Sequence, residues 1–135
     1  MPETETLIRI YECLCDETRL RILHLLAAGP LCVCHFQEIL GEPQVKISKH
    51  LAYLRERGLA EVERHQNWMI YSLPRRRTRE LEANLRCLQD CARTNPAFKA
   101  DARKLRAMRK DLAWLSETCC PEPRGGSGAQ KEGGK

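Results

Sequence analysis

The stretch QVKISKHLAYLRERGLAEVERHQNWMIYSL, residues 44–73, changes its apolar period near its middle. Up to Gly58 the spacing is helical. Four residues of this helix are predicted to face a core: Val45, Ile47, Leu51 and Leu54. From Leu59 onward apolar and polar residues alternate in two runs, separated by the turn residues 65–67. The stretch therefore predicts a helix followed by a β-hairpin that Pro74 ends.

Helices are predicted on both sides of this unit. Upstream, apolar stripes indicate helices over 7–15 and over 17–28, the second N-capped by Asp16. After Gly29-Pro30 a short helix spans about 32–40. Downstream, helices are expected over 77–94 and 97–117. The predicted fold is mainly α with a small β-hairpin, in the order of a winged helix-turn-helix.

The 135 residues suit one domain with a tail. We divide them into a DNA-binding and dimerisation domain (1–96), a C-terminal helix (97–118), and a Cys-Cys segment with a flexible tail (119–135). The N-terminus resembles no signal peptide and no apolar run could cross a membrane, so a cytoplasmic protein is expected. Thiols stay reduced there, which makes the eight Cys candidate ligands or reactive groups.

The basic excess of the chain lies in its middle third. Residues 42–79 hold nine Lys/Arg against four Asp/Glu, and the remainder holds fourteen of each, which accounts for the net charge of +5. Such an excess is typical of a polyanion binder, although a solvated charged face is the simpler explanation of charge alone. The helix-hairpin order favours double-stranded DNA as the partner. Predicted contacts are Gln44, Lys46, Ser48, Lys49, His50 and Tyr53 on the helix, and Arg64, His65 and Asn67 at the wing.

Three segments carry a family resemblance: CDETRLRIL (15–23), LCVC (31–34) and VKISKHLAYLRERGL (45–59). They resemble the arsenical-resistance repressor (ArsR/SmtB) family, in its arsenite-sensing branch. The resemblance implies a homodimeric winged-helix repressor that leaves its operator when a metal or metalloid binds. It also implies that the first and last helices form the dimer interface. Independently, the stripes at 7-10-11-14 and 81-85-88-92 exceed what one small core needs.

Cys32 and Cys34 resemble the arsenite-binding pair of this family. Thiolates suit soft ions, and As(III) or Sb(III) favours three sulfurs. Residues i and i+2 of a helix point about 200° apart, so both sulfurs could bind one ion only if the helix start were distorted. In close relatives a further Cys lies one turn on, where this chain has Gln37.

The third sulfur must therefore come from elsewhere in the chain. Cys119 and Cys120 are the best candidates, because vicinal cysteines beside a flexible tail could fold back. Cys87 and Cys91, at i and i+4, share a helix face and could hold an ion or simply be small buried residues. Cys13 and Cys15 are interpreted mainly as packing residues.

Alternatives remain open for the stimulus and for the class of protein. Zn(II), Cd(II) or cysteine oxidation could replace As(III) or Sb(III) as the signal. A thiol-rich metal-sequestering protein could use a winged helix only as a scaffold. Motifs typical of enzymes, such as a nucleotide-binding glycine loop or a nucleophile elbow, are missing from the sequence.

Overall fold

The structure is a computed structural model that describes residues 2–110. Its elements follow the predicted winged helix-turn-helix order. They are α1 (Pro2–Leu14), α2 (Glu17–Leu26), β1 (Leu31–Cys32), α3 (Val33–Leu40), α4 (Gln44–Glu56), β2 (Glu61–His65), β3 (Trp68–Ser72), α5 (Arg79–Ala92) and α6 (Pro96–Arg109). The mainly helical class is confirmed. Asp16 caps α2 as expected, its carboxylate accepting from the Arg19 amide at 3.0 Å.

The sheet has three antiparallel strands in the order β1-β3-β2. The predicted hairpin is its β2–β3 part, with Gln66 in the left-handed region at the turn (φ 58°). The extra strand β1 pairs Leu31 with Tyr71 and Cys32 with Ile70. A two-residue strand is too short to show a period, so the sequence pattern gave no sign of it. The sheet thus joins the segment before α3 directly to the wing.

Helix α4 buries Ile47, Leu51 and Leu54 against the rest of the domain, as predicted. The prediction for Val45 is wrong, because its side chain is 68% exposed. Residues 47, 51 and 54 form one i, i+4, i+7 stripe, and Val45 lies about 200° around the helix from Ile47. The exposed start of α4 therefore includes an apolar side chain.

The α5 stripe belongs to the core of a single chain. All four of its members are buried and α5 packs against α2. They are Leu81, Leu85, Leu88 and Ala92. The prediction that this stripe exceeds what one small core needs is therefore wrong. On α1 the predicted stripe is divided: Ile10 is buried, whereas Tyr11 is more than half exposed, as is Ile8 outside the stripe.

Helix α6 is attached to the domain by polar contacts that the sequence analysis missed. Asp101 is 1% exposed and accepts two hydrogen bonds from Arg21 of α2, from Nε and Nη2, both at 2.8 Å. Lys104 donates to the Ile39 carbonyl oxygen at the end of α3, at 3.2 Å. Arg109 donates to the Ala28 carbonyl oxygen at 3.0 Å. Phe98 and Leu105 of α6 are buried as well, and the distal part of the helix predicted over 97–117 lies outside the described residues.

Candidate functional site

Cys32, Cys34 and His35 bring three ligand atoms within 4.8 Å of one another, where β1 meets α3. The two Sγ atoms are 3.1 Å apart. Both ring nitrogens of His35 lie 3.8 Å from Cys32 Sγ. Cys32 is buried, whereas Cys34 is partly exposed. A soft cation could reach this group, which we call the thiol cluster, from the Cys34 side.

The local backbone explains why the two sulfurs meet. Cys32 is extended (φ −105°, ψ 172°) and N-caps α3, whereas Cys34 lies in the first turn of that helix. The expectation that ion binding must unwind the helix start is therefore wrong. The 200° separation applies only when both residues are helical, and Cys32 belongs to a strand.

His35 is held in a defined state beside these sulfurs. Its Nδ1 accepts a hydrogen bond from the Cys32 amide at 3.2 Å. Burial, assisted by the positive charge of Arg109, lowers the pKa of His35 to about 4. The ring is therefore neutral at pH 7, with its proton on Nε2. Since Nδ1 is already an acceptor, His35 supports the position of Cys32 and is a weak candidate for a third ligand.

The other described cysteines lie outside this cluster. Cys13 is buried, and burial raises its pKa to about 11, which is consistent with a packing role. For Cys15 the packing interpretation is wrong: its side chain is exposed, and Sγ donates to the Glu12 carbonyl oxygen at 3.2 Å.

Cys87 and Cys91 are both exposed on α5, so the small-buried-residue interpretation is wrong for them. They line a groove of about 420 Å³ together with Leu14, Leu88 and Phe98. The neighbouring Cys87 thiol, more than burial, raises the pKa of Cys91. Cys119 and Cys120 lie outside the described residues.

The residues predicted to contact DNA divide into two groups. Side chains in the first group are exposed: Gln44, Lys46, Lys49, Arg64, His65 and Asn67. Ser48, His50 and Tyr53 are only partly exposed. His50 Nδ1 lies 3.3 Å from Arg19 Nη1, and the Tyr53 ring contacts the guanidinium groups of Arg19 and Arg57.

Arg19 and Arg57 are functional candidates that the sequence analysis missed. The position of Arg19 in the sequence was one signal of its role. It follows the Asp16 N-cap by three residues and the last residue of α1 by five. For the Arg21–Asp101 pair the signal was clearer. Asp101 is a charge on an otherwise apolar stripe of α6, at helical spacing from Phe98 and Leu105, and a charge at such a position indicates a buried ion pair.

A family model described as "Bacterial regulatory protein, arsR family" matches residues 16–62, from the α2 cap through the start of β2. In addition, an HTH-type transcriptional regulator of Methanocaldococcus jannaschii is 35% identical over 82 residues, which are 60% of this chain and 92% of that protein. The chain belongs to the arsR family. The family model describes bacterial regulatory proteins, and the elements of this chain follow the winged helix-turn-helix order.

Relatives of this arsR-family chain are named for arsenic resistance. The arsenical resistance operon repressor of Escherichia coli is 46% identical over 67 residues, 49% of this chain and 57% of that protein. Arsenic resistance transcriptional regulator ArsR1 of Pseudomonas putida is 45% identical over 65 residues, 47% of this chain and 51% of that protein. The matched segment thus spans about half the length of these two relatives.

Solved structures share the fold of this chain. HlyU of Vibrio cholerae superposes with a TM-score of 0.60 at 26% identity, covering 66% of this chain and 94% of HlyU. The homodimeric winged helix-turn-helix DNA-binding domain Mb0332 of Mycobacterium bovis gives a TM-score of 0.58 at 24% identity, covering 68% and 82% of the two chains.

Within residues 2–110, no helix has both the length and the apolar character to cross a bilayer.

Proposed function

We propose that this protein is a dimeric, cytoplasmic repressor that binds a palindromic operator and releases it when As(III) or Sb(III) binds Cys32 and Cys34. The observation that carries the proposal is the 3.1 Å separation of the two Sγ atoms at the β1–α3 junction. In the reduced protein, two thiolates at these positions would form most of a site for a trivalent, thiophilic ion. The names of the arsenic-resistance relatives support the same ligand.

The position of the thiol cluster links it to both DNA-binding elements. Cys32 pairs with Ile70 of wing strand β3, and α3 packs against recognition helix α4. A displacement of Cys32 therefore acts on the wing through the ladder hydrogen bonds and on α4 through α3. A coupling free energy of about 1–3 kcal/mol, or 5–150-fold in affinity, is ordinary for two linked sites.

Cys119 and Cys120 are the proposed source of the third sulfur. The Arg109 side chain bonds to Ala28, four residues before Cys32, which places the end of α6 beside the loop that leads into β1. Cys119 follows Arg109 by ten positions, and ten residues span at most about 35 Å when the chain is fully extended. The third sulfur could therefore come from the same chain as Cys32 and Cys34. In addition, the positive charge of Arg109 favours thiolates.

The proposed DNA contacts are the exposed residues of α4 and the wing. Gln44, Lys46 and Lys49 would enter the major groove, and Arg64, His65 and Asn67 would approach the backbone or a neighbouring groove. Val45 is exposed between two of them and could contact a thymine methyl group. The exposed residues Ile8 and Tyr11 of α1 are proposed to take part in the dimer interface.

A second candidate signal is Zn(II) or Cd(II), because the thiol cluster includes an imidazole. Zinc favours four nitrogen or sulfur ligands in a tetrahedron. A relative named for cadmium resistance, the CadC homolog of Staphylococcus aureus, is 30% identical over 74 residues, 54% of this chain and 61% of that protein. The hydrogen bond to His35 Nδ1 favours the metalloid, because a metal at this nitrogen would have to displace the Cys32 amide.

A fluorescence-anisotropy titration of labelled operator DNA tests the proposed function. Reduced protein should bind the operator, and saturating As(III) should weaken binding within the 5–150-fold range. Parallel titrations with Zn(II), Cd(II) and an oxidant separate the alternative signals. Unchanged affinity with As(III) would show that the inducer assignment is wrong.

Replacement of Lys49 by alanine should weaken operator binding and lower the slope of log affinity against log salt by about one phosphate contact. Lys46→Ala should also weaken operator binding, because it removes a second phosphate contact. In the free protein Lys46 contacts the Glu42 carboxylate at 3.2 Å, and DNA phosphate would compete with that contact. Lys99→Ala, at an exposed position of α6, is the matched control. If the α4 variants bind DNA like the control, the metal-sequestering alternative gains support.

A further inference from the structure

The Tyr53 ring of α4 lies between two arginine side chains from different parts of the fold. The guanidinium carbon of Arg57 is 3.5 Å from the ring centroid, and that of Arg19 is 4.0 Å from it. Two guanidinium groups at these distances cannot share one face, so the ring has a cation on each side. We call Arg19, Tyr53 and Arg57 the arginine–tyrosine stack.

Both arginines of the stack also bond to the last turn of α1. Arg19 donates from Nε to the Cys13 carbonyl oxygen and from Nη2 to the Glu12 carbonyl oxygen, both at 3.1 Å. Arg57 donates from Nε to Glu12 Oε1, also at 3.1 Å. The carbonyls at a helix end otherwise lack partners within the helix. Arg19 therefore completes α1 and holds Tyr53 with the same side chain.

His50, one turn before Tyr53, adds a second link to the same corner. Its Nδ1 is 3.3 Å from Arg19 Nη1, and its Nε2 is 3.9 Å from the carboxylate of the N-cap Asp16. Burial lowers the pKa of His50, so the neutral ring can accept the hydrogen bond from Arg19. Two consecutive turns of the recognition helix are thus fastened to the α1–α2 corner.

We propose that His50 and Tyr53 are positioning residues that set the orientation of α4 through the arginine–tyrosine stack, and that they do not read DNA. This inference rests on the proposed role of α4 as the recognition helix. Lys46 and Lys49 are exposed. In contrast, both faces of the Tyr53 ring contact arginines, and both ring nitrogens of His50 lie near Arg19 or Asp16. Because the partners are the last residues of α1, any displacement of α1 is transmitted to the helix that enters the groove.

The test compares Tyr53→Phe with Tyr53→Leu in operator binding at several salt concentrations. Phenylalanine keeps the aromatic face and removes the hydroxyl, so Tyr53→Phe should bind like the wild type. Leucine removes both cation–π contacts, so affinity should fall on the order of tenfold. The salt slope should stay unchanged, because no phosphate contact is lost. Lys49→Ala is the comparison variant, for which the slope should decrease.

Amide hydrogen exchange on the free protein provides a readout that needs no DNA. In Tyr53→Leu, amides of 44–56 and of the last turn of α1 should exchange faster, whereas in Tyr53→Phe they should not change. A protein that binds no operator, yet shows this exchange pattern, would contradict the proposed function and leave the stack supported. The positioning role is overturned if Tyr53→Phe weakens binding as much as Tyr53→Leu with a reduced salt slope, or if Tyr53→Leu changes neither readout.

Discussion

Replacing Asp101 by asparagine is expected to lower the free energy of unfolding by about 3 kcal/mol. The side chain is 1% exposed and accepts both of its hydrogen bonds from Arg21. Removing one partner of a buried ion pair leaves the other charge uncompensated, at a cost of about 3–5 kcal/mol. The lower end applies because Arg21 is 21% exposed and water can solvate it in part. Urea unfolding followed by circular dichroism measures the change.

The control for this prediction is Asp90→Asn. Asp90 pairs with Arg93 at 3.7 Å near the end of α5, but their side chains are 70% and 79% exposed, so little stability should be lost. A double variant, Arg21→Met with Asp101→Leu, should recover much of the loss because it removes both charges together. If Asp101→Asn is no less stable than Asp90→Asn, the ion pair does not hold α6 to α2.

Replacing Cys34 by serine is expected to abolish the release of operator DNA by As(III), while DNA affinity without As(III) stays at the wild-type level. Serine keeps the size of the side chain but replaces a soft sulfur with a hard oxygen. The 5–150-fold weakening expected for the wild type should therefore disappear. Cys32→Ser should have the same effect on the response. Operator anisotropy with and without As(III) is the measurement.

Cys15→Ser is the matched control, because Cys15 is exposed to solvent and lies directly after α1, outside the thiol cluster. It should respond to As(III) like the wild type. Replacing Cys119 and Cys120 together tests the third sulfur: a weakened response supports completion by the C-terminal pair. If Cys34→Ser still releases DNA with As(III), the sensing site is elsewhere, and Cys87 with Cys91 becomes the next candidate.

The order of the helices and of the hairpin could be predicted because each of these elements carries its own local signal. The period change near Gly58 marks the boundary between α4 and the wing, and Asp16 marks the start of α2. Cys32 and Cys34 could also be predicted as candidate ligands, since thiolates suit soft ions and the pair resembles the family's arsenite-binding cysteines. Strand β1 was not predictable, because two residues acquire a strand conformation only from the partner they pair with.

Local patterns were enough to predict the fold class and the order of the helices and the hairpin, and to single out candidate sulfur ligands, because helical period, turn residues and thiol chemistry are local properties. Tertiary structure decided how those parts are used. It placed Cys32 in a strand and so brought two sulfurs together, and it turned the α5 stripe into core. It also placed Tyr53 between Arg19 and Arg57 in the arginine–tyrosine stack. These outcomes depend on contacts between residues that are far apart in the chain, and a local sequence pattern cannot predict such contacts.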